Sequence, residues 1–145
     1  MQDNLYNIFY TDDDADDKDI FREVVAELNE DIYVFTQNHG GELMELLKNP
    51  PPKPHVVFLD LNMPVKNGYE VLKDIRQHAK MKNMPVIIFS TSSDPENIRE
   101  TKRLGATLYI NKPNSYNDLK RILKHILSID WKTFDGAGMD FVYKG

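Results

Sequence analysis

The chain reads as an α/β domain in which five short strands alternate with five helices, giving a doubly wound, five-stranded parallel sheet. Three observations lead there. Apolar runs such as His55-Val56-Val57-Phe58-Leu59 are continuous rather than alternating, as strands covered on both faces require. Each run is followed by apolar residues at helical spacing. The links between them are short, and strand, helix and strand joined that way put helices on both faces of one sheet.

The first strand is Leu5-Tyr6-Asn7-Ile8-Phe9-Tyr10-Thr11, and Asp14 is placed to cap the helix that follows. That helix carries Ile20, Phe21, Val24, Val25 and Leu28 as one stripe, and its acidic first turn complements the positive end of the helix dipole. Ile32-Tyr33-Val34-Phe35 forms the second strand, with Asn38-His39-Gly40-Gly41 read as its closing turn. The second helix, with Leu43, Met44, Leu46 and Leu47, stops at Pro50-Pro51-Pro52-Lys53-Pro54, since consecutive prolines cannot continue it. That proline stretch resembles a ligand of SH3 domains, but it reads better as a stiff connector into the third strand.

The third strand ends at Asp60, and the loop Leu61-Asn62-Met63-Pro64-Val65-Lys66-Asn67-Gly68 leads to a helix with Val71, Leu72 and Ile75 inward. Pro85 opens the fourth strand, Val86-Ile87-Ile88-Phe89, which ends at Ser90-Thr91-Ser92-Ser93. A helix at about 95–104 stops at Gly105, a natural cap. Thr107-Leu108-Tyr109-Ile110 is the fifth strand, followed by Asn111-Lys112-Pro113. The fifth helix buries Leu119, Ile122, Leu123, Ile126 and Leu127. Residues 5–128 form the expected domain, without an internal repeat. Residues 129–145 form a tail with a turn signal at Asp135-Gly136-Ala137-Gly138, whose aromatics Trp131, Phe134, Phe141 and Tyr143 are expected to pack on the domain surface.

At 145 residues this is one domain, able to bury about two-thirds of its unfolded surface. The chain has no cysteine, which excludes disulfides and thiolate chemistry. No apolar stretch approaches the ~20 residues of a membrane span. The start, Met1-Gln2-Asp3-Asn4, lacks the features of a secretory signal, so a cytoplasmic protein that does not engage membranes is expected. A net charge of -5 with dispersed Lys and Arg argues against nucleic acid as a partner. His39, His55, His78 and His125 lack metal-ligand spacing and read as surface residues.

Chemistry gathers at the strand ends. Parallel α/β sheets bind ligands beyond the carboxyl ends of their strands, so Asp12, Asp13 and Asp60 are expected in one crevice. Like charges that close need a cation or a proton among them, and hard oxygen ligands point to magnesium. Ser90 and Lys112 end neighbouring strands and add a hydroxyl and an ammonium group. This inventory suits phosphoryl transfer to a carboxylate. No Walker glycine loop is present to grip a nucleotide. The run from Asp12 to Asp19 imitates a calcium loop, but Asp17 stands where that loop needs glycine, and a strand precedes it instead of a helix. Asp16, Asp17 and Asp19 then read as a solvated first turn.

These motifs, Asp12-Asp13, Leu59-Asp60-Leu61-Asn62-Met63-Pro64 with Gly68, Ser90-Thr91 and Lys112-Pro113, closely resemble those of response-regulator receiver domains. The resemblance runs from residue 5 to about 128 and is to the stand-alone, CheY-like kind. It implies a flavodoxin-like (βα)5 fold with strand order 2-1-3-4-5. It also implies that Asp60 accepts a phosphoryl group from a histidine kinase or phosphotransfer protein. Magnesium would be held by Asp12, Asp13, Asp60 and the backbone carbonyl of Asn62, and Lys112 would bind the phosphoryl oxygens. Ser90 would be the switch hydroxyl and Tyr109 the aromatic that reports activation. Output to a downstream protein would pass through the face of the fourth helix, fifth strand and fifth helix. Thr91 departs from the small Ala or Gly common in such domains, and so crowds the phosphate or adds a hydrogen bond. Asn62 and Ser92 occupy positions that tune dephosphorylation in the family, and both are small and polar, which implies a short-lived phosphorylated state.

Two other functions share much of this inventory. One is a partner-binding module that works without phosphorylation, which the intact set of Asp12, Asp13, Asp60, Ser90 and Lys112 argues against. The other is an aspartyl-nucleophile phosphatase, which usually carries a second Asp two positions after the nucleophile as general acid. Asn62 stands there and cannot donate a proton that way. A signalling switch that catalyses only its own phosphorylation and dephosphorylation is the expected function.

Overall fold

The structure is a computed structural model and describes residues 6–63, 66–134 and 138–144. Leu5, Pro64, Val65 and the turn signal's Asp135, Gly136 and Ala137 lie outside the described residues. The elements in chain order are β1 (Tyr6–Thr11), α1 (Ala15–Leu28), β2 (Ile32–Gln37), α2 (Gly40–Lys48) and β3 (Val56–Leu59). Then come α3 (Gly68–Gln77), β4 (Val86–Ser90), α4 (Pro95–Arg103), β5 (Leu108–Asn111) and α5 (Tyr116–Ile126). Among the described residues the five strands form one parallel sheet in the order β2-β1-β3-β4-β5. The doubly wound architecture expected from the apolar runs is the one observed.

The central strands β3 and β4 are buried at every position. Their side chains alternate between two cores, as the period of two along a strand demands. Val56, Phe58, Ile87 and Phe89 face α1 and α5, where they meet Phe21, Val24, Leu123 and Ile126. Val57, Leu59, Val86 and Ile88 face the other way and meet Leu43, Val71, Leu72 and Ile75 of α2 and α3. Four aromatic rings pack at the centre of the first core, with Phe21 at 4.5 Å from Tyr10 and 5.0 Å from Phe58, and Phe89 beside all three.

Helix starts follow local chemistry. Asp14 caps α1, its carboxylate accepting from the N–H of Asp17 at 3.0 Å. Asn67 and Glu70 form a reciprocal capping box at α3. The reading of Asn38-His39-Gly40-Gly41 as a closing turn needs correction: Gly40 and Gly41 are the first residues of α2. His39 caps them through Nδ1, which accepts from the N–H of Gly41 at 3.1 Å. Glycine here permits close approach, since a Cβ on Gly40 would run into the Val71 side chain. Gly105 ends α4 with a φ of 98°, as a helix-terminating glycine should.

Beyond α5 the described residues stay against the fold. Trp131 is buried in the α1/α5 core, donates from Nε1 to the carbonyl of Ile126 at 3.1 Å, and meets Phe134 edge-on at 5.2 Å. Further on, Tyr109 of β5 and Val142 form a parallel bridge. No helix among the described residues is long and apolar enough to cross a membrane.

Candidate functional site

Parallel strands end at the same side of the sheet, so β1 and β3 deliver their last carboxylates together. Asp12 and Asp13 follow β1 and Asp60 follows β3, and one ligand oxygen from each lies within 4.8 Å of the others. Asp12 is fully buried, Asp60 nearly so, and Asp13 is exposed. The backbone fixes this arrangement: the N–H of Asp60 donates to the carbonyl of Thr11 at 3.0 Å, and that of Gly68 to Leu61 at 3.0 Å. Gly68 gives the room for this approach, because a Cβ there would lie 2.5 Å from the carbonyl oxygen of Asp60 and force the backbone to shift. Asn62 is exposed in the loop between them.

The electrostatics follow from burial. Desolvation, then the nearby Asp12 carboxylate, push the Asp60 carboxyl from 3.8 up to about 7, against the opposing pull of Lys112. Lys112 is half-buried, which by itself disfavours its charge, yet its bonds to Asp12 and Asp17 hold it above the usual lysine value. Its Nζ donates to Asp12 at 2.6 Å and to Asp17 at 2.8 Å, and stands 3.9 Å from Asp60. The solvated reading of Asp17 is therefore corrected: its carboxylate faces inward to this ammonium group.

Tyr10 also belongs to the site, which sequence reading missed. Its buried hydroxyl donates to Asp12 at 2.5 Å, and burial followed by the Asp12 charge raises its pKa. The signal was faint, because an aromatic in a buried strand looks like core filling whether or not its hydroxyl points at a carboxylate.

The β4 and β5 ends form a second, connected network. Ser90 is fully buried, and its Oγ accepts from the N–H of Ser92 at 3.1 Å. Its carbonyl accepts from the N–H of Lys112 at 2.8 Å, tying the two strand ends together. The carbonyl of Ser92 accepts from the Tyr109 hydroxyl at 2.7 Å and from Asn111 at 3.1 Å. Tyr109 is fully buried, and burial raises its pKa. Ser92 Oγ accepts from Asn97 of α4 at 2.7 Å, while Thr91 is exposed. The four histidines have local roles: Nδ1 of His39, His55 and His78 accepts backbone N–H groups, and His125 stacks on Tyr143.

A divalent cation fits this chemistry. All three converging groups are carboxylates, and burial first, then the Asp12 charge, disfavours an ionised Asp60, which such a cation would offset.

Comparison with known proteins places this geometry. The family model for the response regulator receiver domain matches residues 8–124. The chemotaxis protein CheY homolog of Campylobacter jejuni is 31% identical over 121 residues, covering 83% of this chain and 91% of that protein. Response regulator Rcp1 of Synechocystis is 34% identical over 77 residues, 53% of this chain and 52% of Rcp1. Against the sensor histidine kinase CheAY of Helicobacter pylori, 28% identical, the match spans 86% of this chain but 15% of the kinase. Among solved structures, the phosphorylated cyanobacterial phytochrome response regulator RcpA superposes with a TM-score of 0.81 at 30% identity, covering 89% of this chain and 96% of that one. The Mn(2+)-bound form of Rcp1 gives 0.78 at 27% identity with the same coverage. With its sheet order, its converging strand ends and a family match across most of its length, the chain belongs to the CheY-like response regulator receiver domains of two-component signalling.

Proposed function

We propose that the protein is a phosphorylation-controlled switch in which Asp60 accepts a phosphoryl group from a histidine kinase or phosphotransfer protein. The observation that carries this reading is the buried Asp60 carboxyl, with oxygens of Asp12 and Asp13 within 4.8 Å and the Lys112 ammonium 3.9 Å away. In the reaction an Asp60 oxygen attacks phosphorus and the bond to the donor's imidazole nitrogen breaks. The electron pair leaves with the imidazole, which then takes a proton. Asp12, Asp13, Asp60 and the Asn62 carbonyl would hold magnesium, which when bound supplies positive charge opposite the phosphoryl oxygens.

The chain's own groups supply the rest. Lys112 exchanges part of its pairing with Asp12 and Asp17 for a phosphoryl oxygen, and Ser90 offers its hydroxyl proton to another. Tyr109 and Ser90 meet at Ser92, so a shift of Ser90 is felt at β5. The α4–β5–α5 face is the surface through which a downstream protein reads the state. Asn62 is exposed and Ser92 half-buried, both small, which leaves water a route to the phosphoryl group, in keeping with a short-lived modification.

Intact mass tests the reading. With magnesium and acetyl phosphate the native chain gains one phosphoryl mass, EDTA abolishes the gain, and Asp60→Asn does not show it. A folded native chain that stays unmodified would sink the proposal in favour of a phosphorylation-independent binding module.

A further inference from the structure

β5 lies at the edge of the sheet, so alternate residues turn their backbone N–H and C=O away from β4. At Tyr109 both groups are taken by the C-terminal segment. Its N–H donates to the carbonyl of Phe141 at 2.8 Å, and its carbonyl accepts from the N–H of Tyr143 at 2.9 Å. Two aromatic side chains anchor the addition. The Phe141 ring lies 6.4 Å from that of Tyr109, with Nζ of Lys102 from α4 5.7 Å above it. Tyr143 stacks on His125 of α5 at 5.4 Å with the rings 9° apart. One aromatic thus leans on α4 and the other on α5, and both are half-buried. A groove of about 600 Å³ continues from Val142 and Tyr143, past Ile98, Tyr109 and Ile122, to Lys112.

The hold is short. Among the described residues, one bridged pair and two backbone hydrogen bonds tie the segment to β5, and each such bond adds little net stability because it replaces a bond to water. A longer strand with equivalent anchors would compete for the same edge. We infer that the β5 edge between α4 and α5 is a strand-accepting docking surface, held in the resting chain by its own residues 141–143. The partner it fits is an extended protein segment carrying two aromatic side chains two residues apart. The inference says how the proposed output face receives a partner, and it does not rest on phosphorylation of Asp60.

The test uses the full chain without magnesium or phosphodonor, and reads amide exchange at Tyr109. In the Phe141→Ala/Tyr143→Ala variant that amide exchanges at least about tenfold faster than in the native chain, while the β1 and β3 amides keep their protection. A synthetic peptide of residues 139–144 restores the protection in trans, and the same peptide with both aromatics replaced by alanine does not. Should the double variant fail to fold, Tyr143→Pro, which deletes the N–H bonded to Tyr109, gives the same acceleration. Unchanged exchange at Tyr109 in a folded variant overturns the inference, as does a native-sequence peptide that gives no protection at millimolar concentration. Tyr109 protection that rises with protein concentration in the native chain also overturns it, by assigning the segment to a second copy.

Discussion

Burial and, after it, the neighbouring Asp12 carboxylate push the Asp60 carboxyl from 3.8 up to about 7, so ionising this residue costs stability in the fold. Because the folded value lies above the unfolded one, the folded state binds the extra proton. The stability this group contributes is complete below pH 3.8 and is lost as pH rises through about 7. In EDTA, therefore, thermal stability declines from about pH 4 to about pH 7, and Asp60→Asn flattens the decline and stabilises the protein at pH 7.5 by about 1–3 kcal/mol. Magnesium stabilises the native chain at pH 7.5 and stabilises the variant less. Calorimetry across pH, with and without the ion, checks both statements. Gly68 makes a steric prediction at the same scale. The Cβ of Gly68→Ala would sit 2.5 Å from the Asp60 carbonyl oxygen, so the β3–α3 loop must shift. A loss of about 1–3 kcal/mol is expected, together with weaker magnesium binding by titration calorimetry.

At the scale of elements, α3 positions the β3 end. Its start is fixed by the Asn67–Glu70 box, whose two hydrogen bonds are both 3.0 Å. Asn67→Ala leaves the first-turn N–H groups without that acceptor and costs about 0.5–2 kcal/mol in urea unfolding. The far end of α3 is tied to the next loops by Arg76. Its Nε donates to the carbonyl of Gly105 at 2.8 Å and its Nη1 to that of Met84 at 2.7 Å, and burial lowers its pKa. In the sequence Arg76 looked like any basic residue in a last helical turn. Its task became visible only once the loops before β4 and β5 were packed beside it. The mistaken turn at His39-Gly40-Gly41 has a similar origin. Paired glycines favour a turn when read locally, but the close packing of α2 against Val71 requires glycine inside the helix.

Across the whole molecule, residues 129–134 after α5 complete the core rather than trailing from it. Trp131 is 5% exposed, joins the α1/α5 cluster and bonds to the end of α5. Trp131→Ala leaves a large cavity and costs about 3–5 kcal/mol, seen as a marked drop in the urea midpoint. Against total stabilities of about 5–15 kcal/mol, that loss brings the fold close to its limit. The last described residues, 138–144, act differently: they take up both backbone groups of Tyr109 at the β5 edge and occupy the face proposed for output.

The order of strands and helices, the two apolar faces of each buried strand, and the caps at Asp14 and Gly105 were legible in the sequence. They depend on local periodicity and on the backbone preferences of single residues. The convergence of Asp12, Asp13 and Asp60 was legible too, because parallel strands separated by helices bring their carboxyl ends to one side. Tertiary structure alone decided where long side chains point and which edges are covered. It turned Tyr10 and Asp17 into the site, drew Lys112 closer to Asp12 than to Asp60, and laid residues 141–143 along β5. Those outcomes depend on distances between residues up to 100 positions apart, which local patterns do not encode and packing of the whole sheet sets.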